Sequence, residues 1–341
     1  MRVVFLKSNA AATGGLELYT QRLAQMFAQS HDVTLLTTGK VGKQPFETLS
    51  LCETTKFSLQ HIKRFDAKAQ KWIEKHKPDL VFGMERNRFQ THYRAGSGVH
   101  AAYLERRRKK EKVAKRLSLA INPLHQQILK IEKEAFEHPQ LQKLFVNSNM
   151  VKEEMLHYYN IAPEKLFVVH NGVEWEGCRA TDQNDHYHFL FVGNDFRRKG
   201  LSTVLYAMRG LRGCQLTIVG KDKNASYFEK LAQKLQIPAH FVGPQADLKP
   251  FYEAADCLVL PTLYDPFANV TLEALAHGLF VVTSHDNGGK EILTPQSGIV
   301  TDDVQEALFY AQHYRRDPHK IRESVKHLTF ENQLRRIVEL C

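Results

Sequence analysis

Residues 265–273, Asp265-Pro266-Phe267-Ala268-Asn269-Val270-Thr271-Leu272-Glu273, set two carboxylates eight positions apart across a loop-to-helix junction. An acid in the loop can accept hydrogen bonds from sugar hydroxyls, and one inside the helix can grip a ribose. The backbone N–H groups of the first helical turn, around Ala268, Asn269, Val270 and Thr271, favour a phosphate. A helix cap plus a surface glutamate explains a lone acid here, but not the whole string. A second string, Val192-Gly193-Asn194-Asp195-Phe196-Arg197-Arg198-Lys199-Gly200, follows a clear strand and opens a helix. Adjacent cations at that point suit a pyrophosphate, Arg198 through forked contacts and Lys199 as a point charge. The bland alternative for this string taken alone is a solvated loop.

Two weaker signals lie in the first half. Gly14 and Gly15 separate a strand from a helix, where a missing side chain lets a phosphate approach the backbone. The segment is neither GxGxxG nor a P-loop, so the ordinary dinucleotide and ATP fingerprints are missing. A glycine pair is otherwise just a turn. His100 is a candidate for sugar contact or base work, with a structural histidine as the alternative reading.

These residues need a scaffold, and the apolar pattern describes one. Short apolar runs at Arg2–Leu6, Asp32–Leu36, Asp79–Phe82, Lys143–Val146 and Lys165–Val169 read as buried parallel strands. Leu16–Ala28 reads as a helix burying Leu18, Leu23, Met26 and Phe27, and the segment from Ala101 to about Phe136 reads as helical, interrupted at Asn122-Pro123. The pattern restarts in the second half with strands at His188–Val192, Gln215–Val219, His240–Val242, Cys257–Leu260 and Leu279–Thr283. Helices fall between them. Strands alternating with helices argue for parallel α/β sheets, and two such series argue for two Rossmann-like domains. The expected division is 1–171, 172–322 and a closing helical segment 323–341 that packs back toward the first domain.

Composition narrows the class. The chain has 341 residues, of which 43% are hydrophobic and 25% charged, enough for a large core without disulfides. Its five scattered cysteines form no CxxC pair, so neither a zinc knuckle nor a disulfide framework is expected. No apolar run reaches the length of a membrane span, and the start is too short for a secretory signal. Reduced thiols and a cytoplasmic location are the expectation. The net charge of +10 is one-sided: residues 1–171 carry 28 Lys+Arg against 16 Asp+Glu, and residues 172–341 carry 19 against 21. Leu104–Arg116 alone holds eight basic and two acidic residues. On a helix Arg106, Lys109 and Lys110 share a face flanked by Arg107 and Arg108, which predicts docking on an anionic membrane. Only Leu104, Val113 and Ala114 in that stretch are apolar, so deep insertion is not expected. Tyr103 is its only nearby aromatic, which argues against nucleic acid.

Taken in order, these motifs resemble the retaining family 4 glycosyltransferases of GT-B fold, in which two Rossmann-like domains face each other across a cleft. The resemblance covers nearly the whole chain. The motifs VGNDFRRKG, FVGP and LYDPFANVTLEALAHGL, with residues 92–100 (HYRAGSGVH), are most similar to the bacterial lipopolysaccharide-core glucosyltransferases. The resemblance implies that Arg198 and Lys199 hold a donor diphosphate, Glu273 the ribose and Asp265 the transferred sugar. It sets Gly243 and Pro244 beside the nucleobase. There are departures: the leading acid is Asp265 where the family usually has Glu, and Thr91 and Ser97 stand where it often has Asp. The implied reaction moves a hexose, glucose first, from a UDP-sugar substrate to a lipid-linked lipopolysaccharide-core acceptor at the inner membrane face, with no cofactor. No Asp-x-Asp triplet occurs, and Arg198 with Lys199 can stabilise the leaving group without a metal. Two alternatives remain: an epimerase or a transferase to a soluble acceptor on the same fold, and a non-enzymatic basic module for membrane or nucleic acid.

Overall fold

The computed structural model describes residues 1–9, 15–39, 42–54, 58–111 and 113–341. They form two compact units, Met1–His170 with Gln333–Cys341, and Asn171–Asn332. The closing segment is not one stretch from 323. One helix covers Pro318–Ser324, another covers Phe330–Leu340, and residues from Gln333 onward belong with the first unit.

The first unit is built on strands β1 (Arg2–Leu6), β2 (Asp32–Thr38), β3 (Glu47–Cys52), β4 (Leu80–Gly83), β5 (His92–Arg94), β6 (Lys143–Val146) and β7 (Leu166–Val168). Every pairing is parallel, in the order β3-β2-β1-β4-β5-β6-β7. Its helices are α1 (Gly15–Phe27), α2 (Ser58–His76), α3 (His100–Lys109), α4 (Val113–Ile121), α5 (Pro123–Phe136) and α6 (Asn149–Tyr158). Helix crossovers cover a parallel sheet on both faces, so the central strands read as unbroken apolar runs. Phe5, Phe82 and Phe145 stack at 5.3 and 5.7 Å across the sheet, and Phe27 of α1 meets Phe5 edge-on at 5.6 Å. Two expectations are corrected here. Leu23 and Phe27 of α1 are buried as expected, but Leu18 is exposed and Met26 half-buried, and Tyr19 and Ala24 complete the buried face instead; these positions follow the helical period more closely than the expected set. The helical segment after Ala101 breaks twice. Besides Asn122, which caps α5 by accepting from Leu124 N, α3 ends at Lys109 with Lys110 as its cap.

The second unit repeats the plan with β8 (Tyr187–Val192), β9 (Cys214–Val219), β10 (Ala239–Gly243), β11 (Cys257–Leu260), β12 (Phe280–Thr283) and β13 (Gly298–Val300). They pair in parallel in the order β10-β9-β8-β11-β12-β13. Its helices are α7 (Phe196–Lys199), α8 (Leu201–Ala207), α9 (Ala225–Lys234), α10 (Lys249–Glu253), α11 (Asn269–Ala276), α12 (Val304–His313) and α13 (Pro318–Ser324), with α14 (Phe330–Leu340) running out of the unit. In both sheets the strand order reverses once, between β1 and β4 and between β8 and β11. Ligands of such sheets bind beyond the carboxyl ends of the strands at that reversal. Among the described residues no helix is long and apolar enough to cross a membrane.

Candidate active site

In the second unit the chain leaves β8 through Gly193 and enters α7 at Asp195, whose backbone is left-handed (φ 60°) and whose side chain accepts from Arg198 N at 3.3 Å. Gly200 closes that short helix at φ 85°. A Cβ there would stand 2.1 Å from the carbonyl oxygen of Pro261, so only glycine lets the β8 and β11 loops meet. The meeting brings the cations of one string onto the acid of the other. Lys199 Nζ lies 2.6 Å from Asp265 Oδ2, and Arg198 Nη1 lies 3.0 Å from Tyr264 O and 3.5 Å from the same carboxylate oxygen. Lys199 and Asp265 are both buried, so their charges meet with little screening.

Helix α11 supplies the rest. Asn287, fully buried, joins the loop to the helix: its Oδ1 accepts from Ala268 N and Gly289 N, and its Nδ2 donates to Thr271 Oγ1 and Thr283 Oγ1. The first-turn amides are therefore not all available to an anion, as the sequence led us to expect. Ala268 N is taken by Asn287 and Thr271 N turns back to Ala268 O, which leaves Asn269 and Val270. Glu273 is half-buried and accepts from Tyr252 OH at 2.7 Å through Oε2. Burial pushes its carboxyl pKa up, against the hydrogen bond from Tyr252 and the charge of Lys199. Gly243 ends β10 and Pro244 follows it, and Gly243 has a left-handed backbone (φ 80°) with open space where a Cβ would sit. Tyr252 and Asn287 were missed in the sequence, because their neighbours in the chain form no motif.

In the first unit Gly14 lies outside the described residues, and Gly15 is the first residue of α1. His100 begins α3, and it is buried. Burial first, then Arg86 and His125, pull its imidazole pKa down to about 3, so it is neutral at pH 7. Its Nε2 is 3.0 Å from His125 Nδ1, and its backbone N–H donates to Glu132. Thr91 is held by the backbone of Val81, whereas Ser97 lies on the rim of a cavity at the carboxyl ends of β1 and β4. The five basic residues do not form the open face that was expected. Arg106 is paired with Glu154 of α6 at 2.7 Å, Arg107 with Glu111 at 3.6 Å, and Lys109 with Glu105 at 2.9 Å. Arg106, Arg107 and Arg108 are half-buried; Lys109 and Lys110 are exposed.

Residues 13–176 match the family model described as Glycosyltransferase Family 4, and residues 186–313 match that described as Glycosyl transferases group 1. The chain belongs to the family 4 glycosyltransferases of GT-B fold. An uncharacterized glycosyltransferase of Methanocaldococcus jannaschii is 32% identical over 43% of this chain and 43% of its own length. The lipopolysaccharide glucosyltransferase WaaG of Escherichia coli is 24% identical over 80% of this chain and 77% of its own. The first curated relatives are thus matched over about two fifths of their length, and WaaG over most of it. A solved structure of WaaG superposes with a TM-score of 0.82 at 21% identity over 99% of each chain. Anabaena HepE in complex with UDP-glucose superposes at 0.72 and 14% identity, over 100% of this chain and 99% of its own.

Proposed function

We propose that this chain is a retaining, metal-independent glycosyltransferase that moves a hexose, glucose first, from a UDP-sugar to a lipopolysaccharide-core acceptor at the inner face of a membrane. The observation that carries the reading is the pair of cations held at 2.6 and 3.5 Å on Asp265 at the carboxyl ends of β8 and β11. Glycosyl transfer needs its leaving diphosphate stabilised, and preorganised cations do this without reorganising as charge develops. That WaaG is a lipopolysaccharide glucosyltransferase, and that HepE is seen in complex with UDP-glucose, supports the acceptor and donor classes. Asp265 is committed to two cations, which makes it a poor nucleophile and supports a front-face route in which the acceptor enters as the diphosphate leaves. Glu273 Oε1 has no hydrogen-bond partner among the described residues, and it suits the ribose. Titration calorimetry with UDP and UDP-glucose tests the donor. Binding is expected in the native chain, with Glu273→Ala weakening it by about 1.5–3 kcal/mol through loss of a charged hydrogen bond. A folded variant with unchanged affinity removes Glu273 from the site.

Arg198 and Lys199 stand where a metal would otherwise neutralise the diphosphate. Turnover is expected to persist in EDTA. Loss on chelation, with recovery on added magnesium or manganese, would contradict metal independence.

Membrane attachment rests on α4 as well as α3. Val113, Leu117 and Ile121 are 70%, 63% and 79% exposed and recur every fourth residue, so they form one apolar stripe on α4, the helix that carries Arg116 and follows the basic stretch of α3 in the chain. The stripe adds an apolar component to the electrostatic contact expected from the basic stretch. The helical period adds Leu117 and Ile121, which lie beyond the basic stretch, to Val113. An apolar stripe that follows a basic stretch suits the interface of an anionic bilayer. Co-sedimentation with vesicles should show binding to anionic lipid that falls with salt and falls further in a Val113→Ser, Leu117→Ser, Ile121→Ser variant. Equal binding to neutral vesicles would rule the docking out.

A further inference from the structure

Glu273 is held in place from outside its own helix. A glutamate side chain is flexible, and a ligand that has to order it binds more weakly than one that finds it ordered. Here one oxygen is already fixed, because Oε2 accepts from Tyr252 OH at 2.7 Å. Tyr252 stands on α10 and is 2% exposed, and it belongs to the apolar cluster that holds Cys178, Leu258, Leu272 and Ala276. Its ring stacks on His277, with centroids 5.2 Å apart and planes 23° from parallel. His277 caps α11 and donates its backbone N–H to Glu273 O, one turn back. Its Nδ1 is in turn 3.2 Å from Arg179 O. The phenol ring therefore lies along one turn of α11, wedged between core and imidazole, and delivers its hydroxyl to the carboxylate. Burial first, then the charge of Glu273, holds the phenol pKa well above its ordinary value, so the hydroxyl keeps its proton and donates.

The neutrality of this donor has a consequence for the ligand. Lys199 is engaged with Asp265 at 2.6 Å, so it does not pair with Glu273. A neutral O–H orients the carboxylate without cancelling its charge, and a charged acceptor makes hydrogen bonds about twice as strong as a neutral one. The same hydroxyl works against the rise in pKa that burial imposes on Glu273, and so favours its accepting form. We infer that Tyr252 is a positioning residue that makes the donor site selective for ribose: it presets Glu273 so that Oε1 accepts from the ribose hydroxyls, and does not itself touch the nucleotide. The inference rests on the donor reading of this site and adds to it the residue that orders the ribose acceptor. The simpler role for Tyr252 is a staple between α10 and α11. A staple holds the fold and treats all nucleotides alike, whereas a preset acceptor favours only those that carry the hydroxyls.

Calorimetry on the full chain tests it, with UDP and 2′,3′-dideoxy-UDP, which lacks both ribose hydroxyls, as the probes. The native chain is expected to bind UDP at least tenfold more tightly than the dideoxy nucleotide. Tyr252→Phe removes one oxygen and keeps the ring. It should weaken UDP at least fivefold and leave the dideoxy nucleotide within twofold of its native Kd. Ribose binding is shared by ground state and transition state, so KM for UDP-glucose should rise at least fivefold with kcat within twofold. Glu273→Gln keeps the shape and the contact to Tyr252 but loses the charge, and it should discriminate less than threefold; this arm keeps the test open if Tyr252→Phe does not fold. Equal weakening of both nucleotides by Tyr252→Phe overturns the inference and leaves a staple. Native discrimination retained in either variant overturns it too. If the native chain binds UDP and the dideoxy nucleotide alike, the ribose role of Glu273 falls with the inference and the donor reading stands. If UDP fails to bind, the donor reading itself falls.

Discussion

Lys199→Ala is expected to lower kcat/KM by two to three orders of magnitude. The loss has two parts. The ammonium is the point charge closest to Asp265, and removing a preorganised group that stabilises developing negative charge costs about 3–4 kcal/mol of transition-state binding. It also leaves Asp265, whose side chain is only 13% exposed, with Arg198 at 3.5 Å as its remaining charge partner. Arg198 is already tied to the carbonyl of Tyr264 and cannot close the gap without giving up that bond. Stability should therefore fall together with turnover. Steady-state kinetics with UDP-glucose and a thermal melt on the same preparation separate the two. Lys199→Arg should restore part of the melting temperature but little of the rate, since a planar fork does not replace a point charge held in so tight a position. A Lys199→Ala variant within tenfold of the native rate would remove the residue from the site.

Arg316→Met is expected to give the largest loss of stability, about 3–5 kcal/mol, without touching the donor site. Arg316 and Asp256 are both fully buried as side chains, with Nη2 and Oδ1 3.0 Å apart. Asp256 stands at the start of β11 and also accepts from Asn184 N at 2.9 Å, Asn184 Nδ2 at 3.0 Å and His188 N at 2.8 Å. It thus ties the start of β8 to the start of β11, while Arg316 reaches Gly278 O before β12. Taking away one partner leaves a buried carboxylate without its counter-charge, which is far worse than removing both. The double variant Arg316→Met with Asp256→Asn should recover much of the loss. Chemical denaturation of the single and the double variant decides it. A single variant that loses less than about 1 kcal/mol would show that water reaches the pair.

Much of the fold was legible because its cause is local. Continuous apolar runs such as Cys257–Leu260 and Arg2–Leu6 mark strands covered on both faces, and Pro123 after Asn122 marks a helix start, whatever lies nearby. The strand β5 was invisible for the opposite reason. His92, Tyr93 and Arg94 are polar in composition yet buried, and what makes them a strand is pairing with Phe82–Gly83 on one side and Lys143–Phe145 on the other. The break after Lys109 carries no proline or glycine, so the basic stretch read as one helix. Its charges could be counted in the sequence, but not their partners: Glu154 of α6 is distant in the chain and adjacent in space.

The candidate site divides along the same line. The residue types and spacing of Arg198-Lys199-Gly200 and of Asp265 through Glu273 raised the expectation of a sugar-nucleotide site, and that both strings stand after parallel strands was legible because a strand that feeds a helix presents those positions at its carboxyl end. That Lys199 seats on Asp265, that Tyr252 holds Glu273, and that Asn287 occupies the amide of Ala268 were decided by the tertiary structure alone. Each of those contacts joins residues far apart in the chain. Hydrophobic period is written into neighbouring residues and can be read from them, whereas a buried polar partnership depends on which strands lie side by side, and strand order follows from packing the whole sheet.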